Sequence, residues 1–235
     1  MEISTMSTKR RILSLFLKLV VVVSATVGVY LSATDGLIAF MSGSRVFRFF
    51  TIQSNVAIAL VCAVGAILLI RNKPVSNGWF VFKFVFTVAI TLTGAVFCVM
   101  LAPTLGDQAW TLRNLLTHVV VPIASIADFF VTGVYGDIQK KHVPYVTLPP
   151  FAYVIYATIA YIAGVEFAPG KNYPYFFLNW DSPAGAFGFC KGLPFMGCVW
   201  WILLLSLLIL GVGLIYVLIL KKMKRRRNGI YQKQS

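Results

Sequence analysis

Two polar clusters lie at the heads of otherwise apolar runs. Thr51, Gln53, Ser54 and Asn55 open one run, and Asn114, Thr117 and His118 open another. A histidine placed among lipid-facing residues is expensive, which makes it a functional candidate. The chemistry that uses a hydroxyl and an imidazole together is acyl transfer: an alcohol is a weak nucleophile near neutral pH, and a neighbouring imidazole takes its proton during attack and returns it to the leaving group. Thr51 is the candidate nucleophile and His118 the candidate base. Asn55, Gln53, Asn114 or a backbone N–H are candidate donors to the oxyanion that would develop on the carbonyl oxygen. Arg48, just ahead of Thr51, is a candidate to hold a carboxylate or phosphate at the interface while acyl chains stay in the bilayer.

Helical spacing sorts these residues. Arg48, Thr51 and Asn55 fall at i, i+3 and i+7 and share a face, while Asn114 and His118 form an i, i+4 pair. Pro122 lacks the N–H that would bond to the His118 carbonyl, so the sequence predicts a freed acceptor and a bend one turn beyond the histidine. Quieter roles exist for the same side chains. A threonine in a membrane helix commonly bonds back to a carbonyl one turn earlier, and polar residues there also hold helices together. His118 in that role would simply bond to a neighbouring helix, and His142, beside Lys140 and Lys141, reads as solvated.

The elements that must position these residues are membrane spans. The 235 residues are 59% hydrophobic and 12% charged, mean hydropathy is +0.83, and several runs of about twenty residues are almost wholly apolar, which describes a polytopic membrane protein. Six spans are expected: Ile12 to Leu31, Phe50 to Ile70, Trp79 to Leu101, Leu112 to Tyr135, Leu148 to Val165 and Met196 to Leu220. All six should be α-helices, because a lone segment in lipid must satisfy its own backbone hydrogen bonds. The expectation is one all-α, six-helix transmembrane domain over residues 1–235, ending in a basic tail at 221–235, with no separate soluble domain. The first span follows basic residues as a signal peptide would, but it is too long and lacks a small-residue cleavage site, so it is read as a retained helix.

The net charge of +14 would suit nucleic acid, but its placement suits a bilayer. With the N-terminus inside, fourteen basic residues fall in cytoplasmic segments and only Arg45, Arg48, Lys171 and Lys191 fall opposite. That asymmetry predicts both termini in the cytoplasm and a multi-pass protein of the cell membrane. Lys221 to Arg227 reads as a stop-transfer anchor that touches anionic lipid. The second and fourth spans then both run inward, and Thr51 and His118 share a depth in the outer half. The bilayer and a lipid substrate are the expected partners, nucleic acid is not, and no metal or organic cofactor is implied.

Lys18, Lys83 and Asp128 lie at similar depth toward the cytoplasmic side and are expected to form an interhelical ion pair, or the lysines to snorkel to the surface. Asp128 is ten residues beyond His118, about 15 Å along a helix, and should not reach it. Arg113 belongs to the outer boundary. Among the outer acids, Asp35, Asp107, Glu166 and Asp181, nothing selects a third member for a triad. Cys62, Cys98, Cys190 and Cys198 read as small apolar filler without metal spacing, with a Cys190 to Cys198 disulfide as the alternative. The stretch from Glu166 to Phe195 holds Tyr173, Pro174, Tyr175, Phe176 and Phe177 before a glycine-rich segment, and should either fold back over the bundle as a lid or lie as an aromatic belt at the headgroups.

Four stretches together resemble a known family. Phe50-Thr51-Ile52-Gln53-Ser54-Asn55, Asn114-Leu115-Leu116-Thr117-His118-Val119-Val120-Val121-Pro122, Asp128 with its following aromatics, and Tyr173-Pro174-Tyr175-Phe176-Phe177-Leu178 look like bacterial six-helix integral membrane proteins that are distantly similar to the eukaryotic androgen-induced-protein family. The likeness covers nearly the whole chain. Eukaryotic members are intramembrane threonine hydrolases that cleave fatty-acid esters of hydroxy fatty acids. The resemblance implies Thr51 as nucleophile and His118 as base. From the residues alone, a transporter or lipid-binding protein with the same polar pocket, and a structural protein in which Thr51 and His118 only join helices, remain the alternatives.

Overall fold

The computed structural model describes residues 6–34 and 43–232. Six helices among them are long and apolar enough to cross a membrane: α1 (Thr8–Thr34), α2 (Phe50–Ile70), α3 (Asn77–Trp110), α4 (Leu112–Gly133), α5 (Lys140–Ile162) and α6 (Cys198–Gln232). No β-strand occurs among the described residues, only two isolated bridges in the segment before α6.

Local chemistry sets the ends. The Ser76 hydroxyl accepts from the Trp79 N–H and caps α3. Thr111 does the same for α4 through the Asn114 N–H. Asn72 adopts φ 49° just past α2, in the left-handed region that asparagine tolerates, and the Lys73 N–H closes the turn on the Leu68 carbonyl. The spans predicted from hydropathy coincide with these helices, but several run further. α1 begins before Ile12, α3 continues past Leu101 through a π turn and short helical pieces, α5 opens with a 3-10 segment from Lys140, and α6 extends beyond Leu220 through the basic residues.

Helices α1 to α4 pack around one another, and α5 and α6 flank α3. The outer surface is apolar, and the core holds polar and charged groups beside its apolar side chains. Outward residues such as Ile12, Leu60, Ile123, Ile159 and Leu207 are more than 60% exposed, as expected where lipid supplies the apolar surroundings, while Ser14, Lys18, Asn55, Lys83 and Asp128 are buried. Polar contacts between helices thus hold the inside together. At the end of the bundle that carries the start of α1 and the end of α6, Arg11 donates to the Leu69 carbonyl and to Asn72, Asn77 donates to the Asp137 carbonyl, and Lys224 donates to Gly136. The opposite end, called here the loop end, holds the starts of α2 and α4 and the long connection between α5 and α6.

That connection folds back over the bundle and does not lie flat beside it. Phe177, Leu178 and Phe167 are buried, and Tyr175 stacks on Phe177 with ring centroids 5.0 Å apart. All four cysteines are free thiols, so Cys190 and Cys198 are not bridged; Cys198 starts α6 and is buried.

Candidate functional site

Two π turns face each other at the loop end: Phe97–Leu101 in α3 and Leu116–Val120 in α4. A π turn inserts one residue into the hydrogen-bond ladder and is enriched at functional positions. The turn in α4 is where Pro122 fails to bond the His118 carbonyl, so the bend expected from sequence is realised as a local widening of the helix. Two glycines let neighbouring helices close on it. A Cβ at Gly94 would stand 2.8 Å from the His118 carbonyl oxygen, and one at Gly28 would stand 2.6 Å from Thr117 Cγ2.

His118 is thereby fixed on several sides. Its ring stacks on Phe97, centroids 3.9 Å apart and 19° between planes. Nδ1 lies 3.1 Å from the Asn114 carbonyl and 3.0 Å from Thr117 Oγ1. A carbonyl can only accept, and the Thr117 hydroxyl already donates to the Arg113 carbonyl. Both partners therefore require the proton on Nδ1, which leaves the Nε2 lone pair of a neutral ring facing outward. Nε2 lies 3.4 Å from Thr51 Oγ1, at the long end of hydrogen-bond reach.

Thr51 departs from the other threonines of the bundle. Thr87, Thr91, Thr117 and Thr132 each donate to the carbonyl four residues earlier. Thr51 is in the first turn of α2, and the residue four before it, Phe47, belongs to the preceding 3-10 helix Gly43–Arg48, where its carbonyl accepts from Gln53 Nε2. With no backbone acceptor beneath it, the Thr51 hydroxyl turns to His118 and to Tyr175, whose hydroxyl is 3.4 Å away and accepts from the Thr51 N–H at 3.3 Å. Thr51 and His118 are both 8% exposed.

Asn55 joins the two helices. Its Nδ2 donates to the Thr51 carbonyl at 2.8 Å and to the Thr117 carbonyl at 3.1 Å, tying the α2 turn that carries Thr51 to the α4 turn that carries His118. Both its N–H groups are spent on this bridge, so Asn55 positions the pair and has no donor left for an oxyanion. Its Oδ1 is buried with no hydrogen-bond partner among the described residues.

Further sequence expectations change. Arg48 ends the 3-10 helix and is not on the face of α2; its guanidinium donates to the Glu166 carbonyl and its own carbonyl accepts from Tyr153, so it ties the α5–α6 connection to the start of α2. Gln53 caps the carbonyl of Phe47 instead of facing Thr51. Asn114 lines the cavity, but its side chain donates to the Ala109 carbonyl, and its contribution to His118 is its backbone carbonyl. Among the described residues no acid takes the third place of a triad: Asp181 accepts from Tyr161 and Asn172, and neither Asp107 nor Glu166 bonds His118, while Asp35 is outside the described residues. The carbonyl of Asn114 occupies the orienting position. His142 is not merely solvated; its Nδ1 accepts the Gln139 N–H and closes the first turn of α5.

Tyr175 is a site residue that the sequence does not single out from the other loop aromatics. The available signal was weak: a tyrosine in an aromatic run that folds back needs a partner for its hydroxyl. Thr51, Leu101 and Tyr175 stand at the junction of two spaces. One is a chamber of about 470 Å3 lined by Phe97, Asn114, Thr117, His118 and the Tyr173–Phe176 stretch, and the other is a narrow apolar slot of about 70 Å3 toward α5 and α6.

The expected ion pair is a three-membered cluster well away from this site. Lys18 Nζ lies 2.6 and 2.7 Å from the Asp128 carboxylate oxygens, Lys83 bonds the second of those oxygens and Thr132 Oγ1, and Ser14 donates to the first at 2.6 Å. Neither lysine reaches for the bilayer surface; both are more than nine-tenths buried. No group of three metal-ligating side chains occurs among the described residues. The chain matches no family model, no curated protein and no solved structure.

Proposed function

We propose that the protein is an intramembrane hydrolase of a lipid or fatty-acid ester, with Thr51 as nucleophile and His118 as general base and then acid. The observation that carries the reading is the 3.4 Å approach of Thr51 Oγ1 to His118 Nε2, with Nδ1 committed to a carbonyl acceptor so that Nε2 is the basic nitrogen. Apo contacts of this kind tighten when substrate binds. The resemblance to the threonine hydrolases points to the same two residues.

The chemistry follows from the partners. Thr51 Oγ1 attacks the ester carbonyl carbon as its proton passes to Nε2, giving a tetrahedral oxyanion. Collapse breaks the ester C–O bond, and the departing alkoxide takes the proton from Nε2, leaving Thr51 acylated. Water then attacks the acyl carbon, gives a proton to Nε2, and the acid product leaves as Thr51 Oγ1 regains that proton. The Tyr175 hydroxyl accepts from the Thr51 N–H, so its own proton is free to point at the oxyanion. It is the donor we assign, in place of Gln53 and Asn55.

The charge asymmetry of the sequence supports a reading with both termini in the cytoplasm and this site in the outer half of the membrane, and the resemblance supports a bacterial cell membrane. A transporter would need the polar space to continue through the bundle. Beyond the site, the interior is filled by buried Phe84 and Phe129 and by the Lys18–Asp128–Lys83 cluster, which favours a closed pocket served from one half.

A fluorophosphonate probe applied to membranes containing the protein tests the reading. Covalent labelling at Thr51 that disappears in folded Thr51→Ala and His118→Ala variants is expected. Labelling that persists in Thr51→Ala would overturn the assignment of the nucleophile.

A further inference from the structure

The slot that leaves Thr51 differs from the chamber in chemistry and in outlet. Its walls come from α3, α5, α6, the first turn of α2 and the α5–α6 connection, and are apolar apart from Thr51, Thr93, Ser206 and the two tyrosine hydroxyls. The inner wall is sealed: Leu92 and Val96 are 8% exposed and Leu178 5%. The outer edge is not, since Phe151 on α5 lines the slot while 43% exposed. The 3-10 start of α5 (Lys140–Thr147) packs on α6, but its α-helical part (Leu148–Ile162) packs on α3 and scarcely touches α6, so the two helices part laterally beyond that start. Ser206 marks the far end, eight residues beyond the first residue of α6, which places it about 12 Å along that helix. On an apolar six-helix bundle, such a gap faces bilayer chains.

We propose that this slot is an acyl-chain subsite filled sideways from the bilayer between α5 and α6, with the ester carbonyl stopping at Thr51 and the alcohol portion of the substrate in the larger chamber. The orientation of the ester rests on the hydrolase reading, whereas occupancy of the slot by a chain does not. A volume of about 70 Å3 holds several methylene-sized groups when compared with the roughly 10–15 Å3 of cavity space that one water needs. The remainder of the chain stays in lipid. Selection therefore acts on the first carbons after the carbonyl, favouring a straight chain over one branched next to it, and only weakly on total length.

The test is photo-crosslinking of the full-length protein in vesicles of phosphatidylcholine that carries a diazirine a few carbons from the acyl carbonyl. Adducts on Leu92, Val96 or Leu178, which lipid outside the bundle cannot reach, are expected beside adducts on exposed Ile159 and Leu207. A Ser206→Trp variant, which fills the far end, should lower the inner adducts about tenfold and leave the outer ones unchanged. Wild-type adducts confined to exposed residues overturn the proposal without recourse to any variant. Fluorophosphonate labelling of Thr51 without inner adducts sinks the subsite alone, and inner adducts without Thr51 labelling sink the hydrolase reading alone.

Discussion

Asn55 reaches from α2 to the carbonyl of Thr117 on α4, at 3.1 Å, and the same amide nitrogen holds the Thr51 carbonyl. One side chain that touches neither of their reactive atoms therefore ties the turn of the nucleophile to the turn of the base. Without it, the α2 and α4 turns are joined at this level by the 3.4 Å Thr51 to His118 approach itself. An interaction that fixes geometry is felt in the rate more than in substrate affinity, because small misplacements act on the attacking atoms.

Asn55→Ala should lower the rate of fluorophosphonate labelling at Thr51 by about tenfold, equivalent to about 1.4 kcal/mol, with probe affinity little changed. Asn55→Asp should not restore it, since a carboxylate cannot donate to two carbonyls. Labelling kinetics at several probe concentrations separate the two parameters. A change confined to affinity would show that Asn55 shapes the cavity instead of the pair.

The buried ion cluster makes a separate prediction about folding. Asp128 neutralises Lys18 and Lys83 from one position, so Asp128→Ala strands two ammonium groups and should cost about 3–5 kcal/mol. Replacing all three together, Lys18→Met with Lys83→Met and Asp128→Leu, should recover most of that loss, because desolvation of the ions disappears with the ions. Thermal unfolding in detergent reads both. Equal destabilisation in the single and triple variants would mean that the cluster acts through packing and not through charge.

How much of this could be read in the chain depends on the distance over which each feature is encoded. Six apolar helices follow from run length and hydropathy, which are local, and Lys18, Lys83 and Asp128 were matched because charges in lipid have few options. Thr51 and His118 were placed at one depth by counting residues from the span ends. The i, i+3, i+7 face does not extend back to Arg48, because α2 begins at Phe50 and the residues before it wind as a 3-10 helix, and Gln53 turns back to the Phe47 carbonyl of that segment. Tyr175 stayed hidden for another reason. Its position over Thr51 comes from the course of an irregular connection, and irregular backbone has no periodicity to read. Pro122 signals a disturbance in α4, but its form as a π turn with Gly94 packed against it depends on a neighbouring helix that local sequence does not specify.

Asp181 ties the α5–α6 connection down from outside the spans. Asn172 and the Tyr161 hydroxyl both donate to its carboxylate and hold its pKa below the ordinary value. A depressed carboxylate contributes stability above its unfolded pKa, near 3.9, and loses that contribution as pH falls through the lower folded value. The connection should thus become more open to proteolysis only below about pH 4, and Asp181→Asn should show that openness already at neutral pH. Limited proteolysis across a pH series measures this, and a wild-type connection equally resistant at pH 3 and pH 7 would remove Asp181 from its role.

Tyr175 connects that fold-back to the chemistry. Its hydroxyl is 3.3 Å from the Thr51 nitrogen and 3.4 Å from Thr51 Oγ1, and its ring is held by Phe177 and Phe49. Tyr175→Phe keeps the ring and its packing but deletes the only hydroxyl that reaches Thr51 from the connection. If that hydroxyl donates to the oxyanion, its loss should lower turnover of an ester by about a hundredfold, in the range seen when one such donor is removed, while KM stays nearly constant. A purely structural hydroxyl predicts another pattern: loss of the bond to the Thr51 N–H would loosen the start of α2, lower thermal stability by about 1 kcal/mol and raise KM. Steady-state kinetics of Tyr175→Phe beside its unfolding curve decide between them, and an unchanged kcat with a raised KM would hand the oxyanion to a backbone N–H.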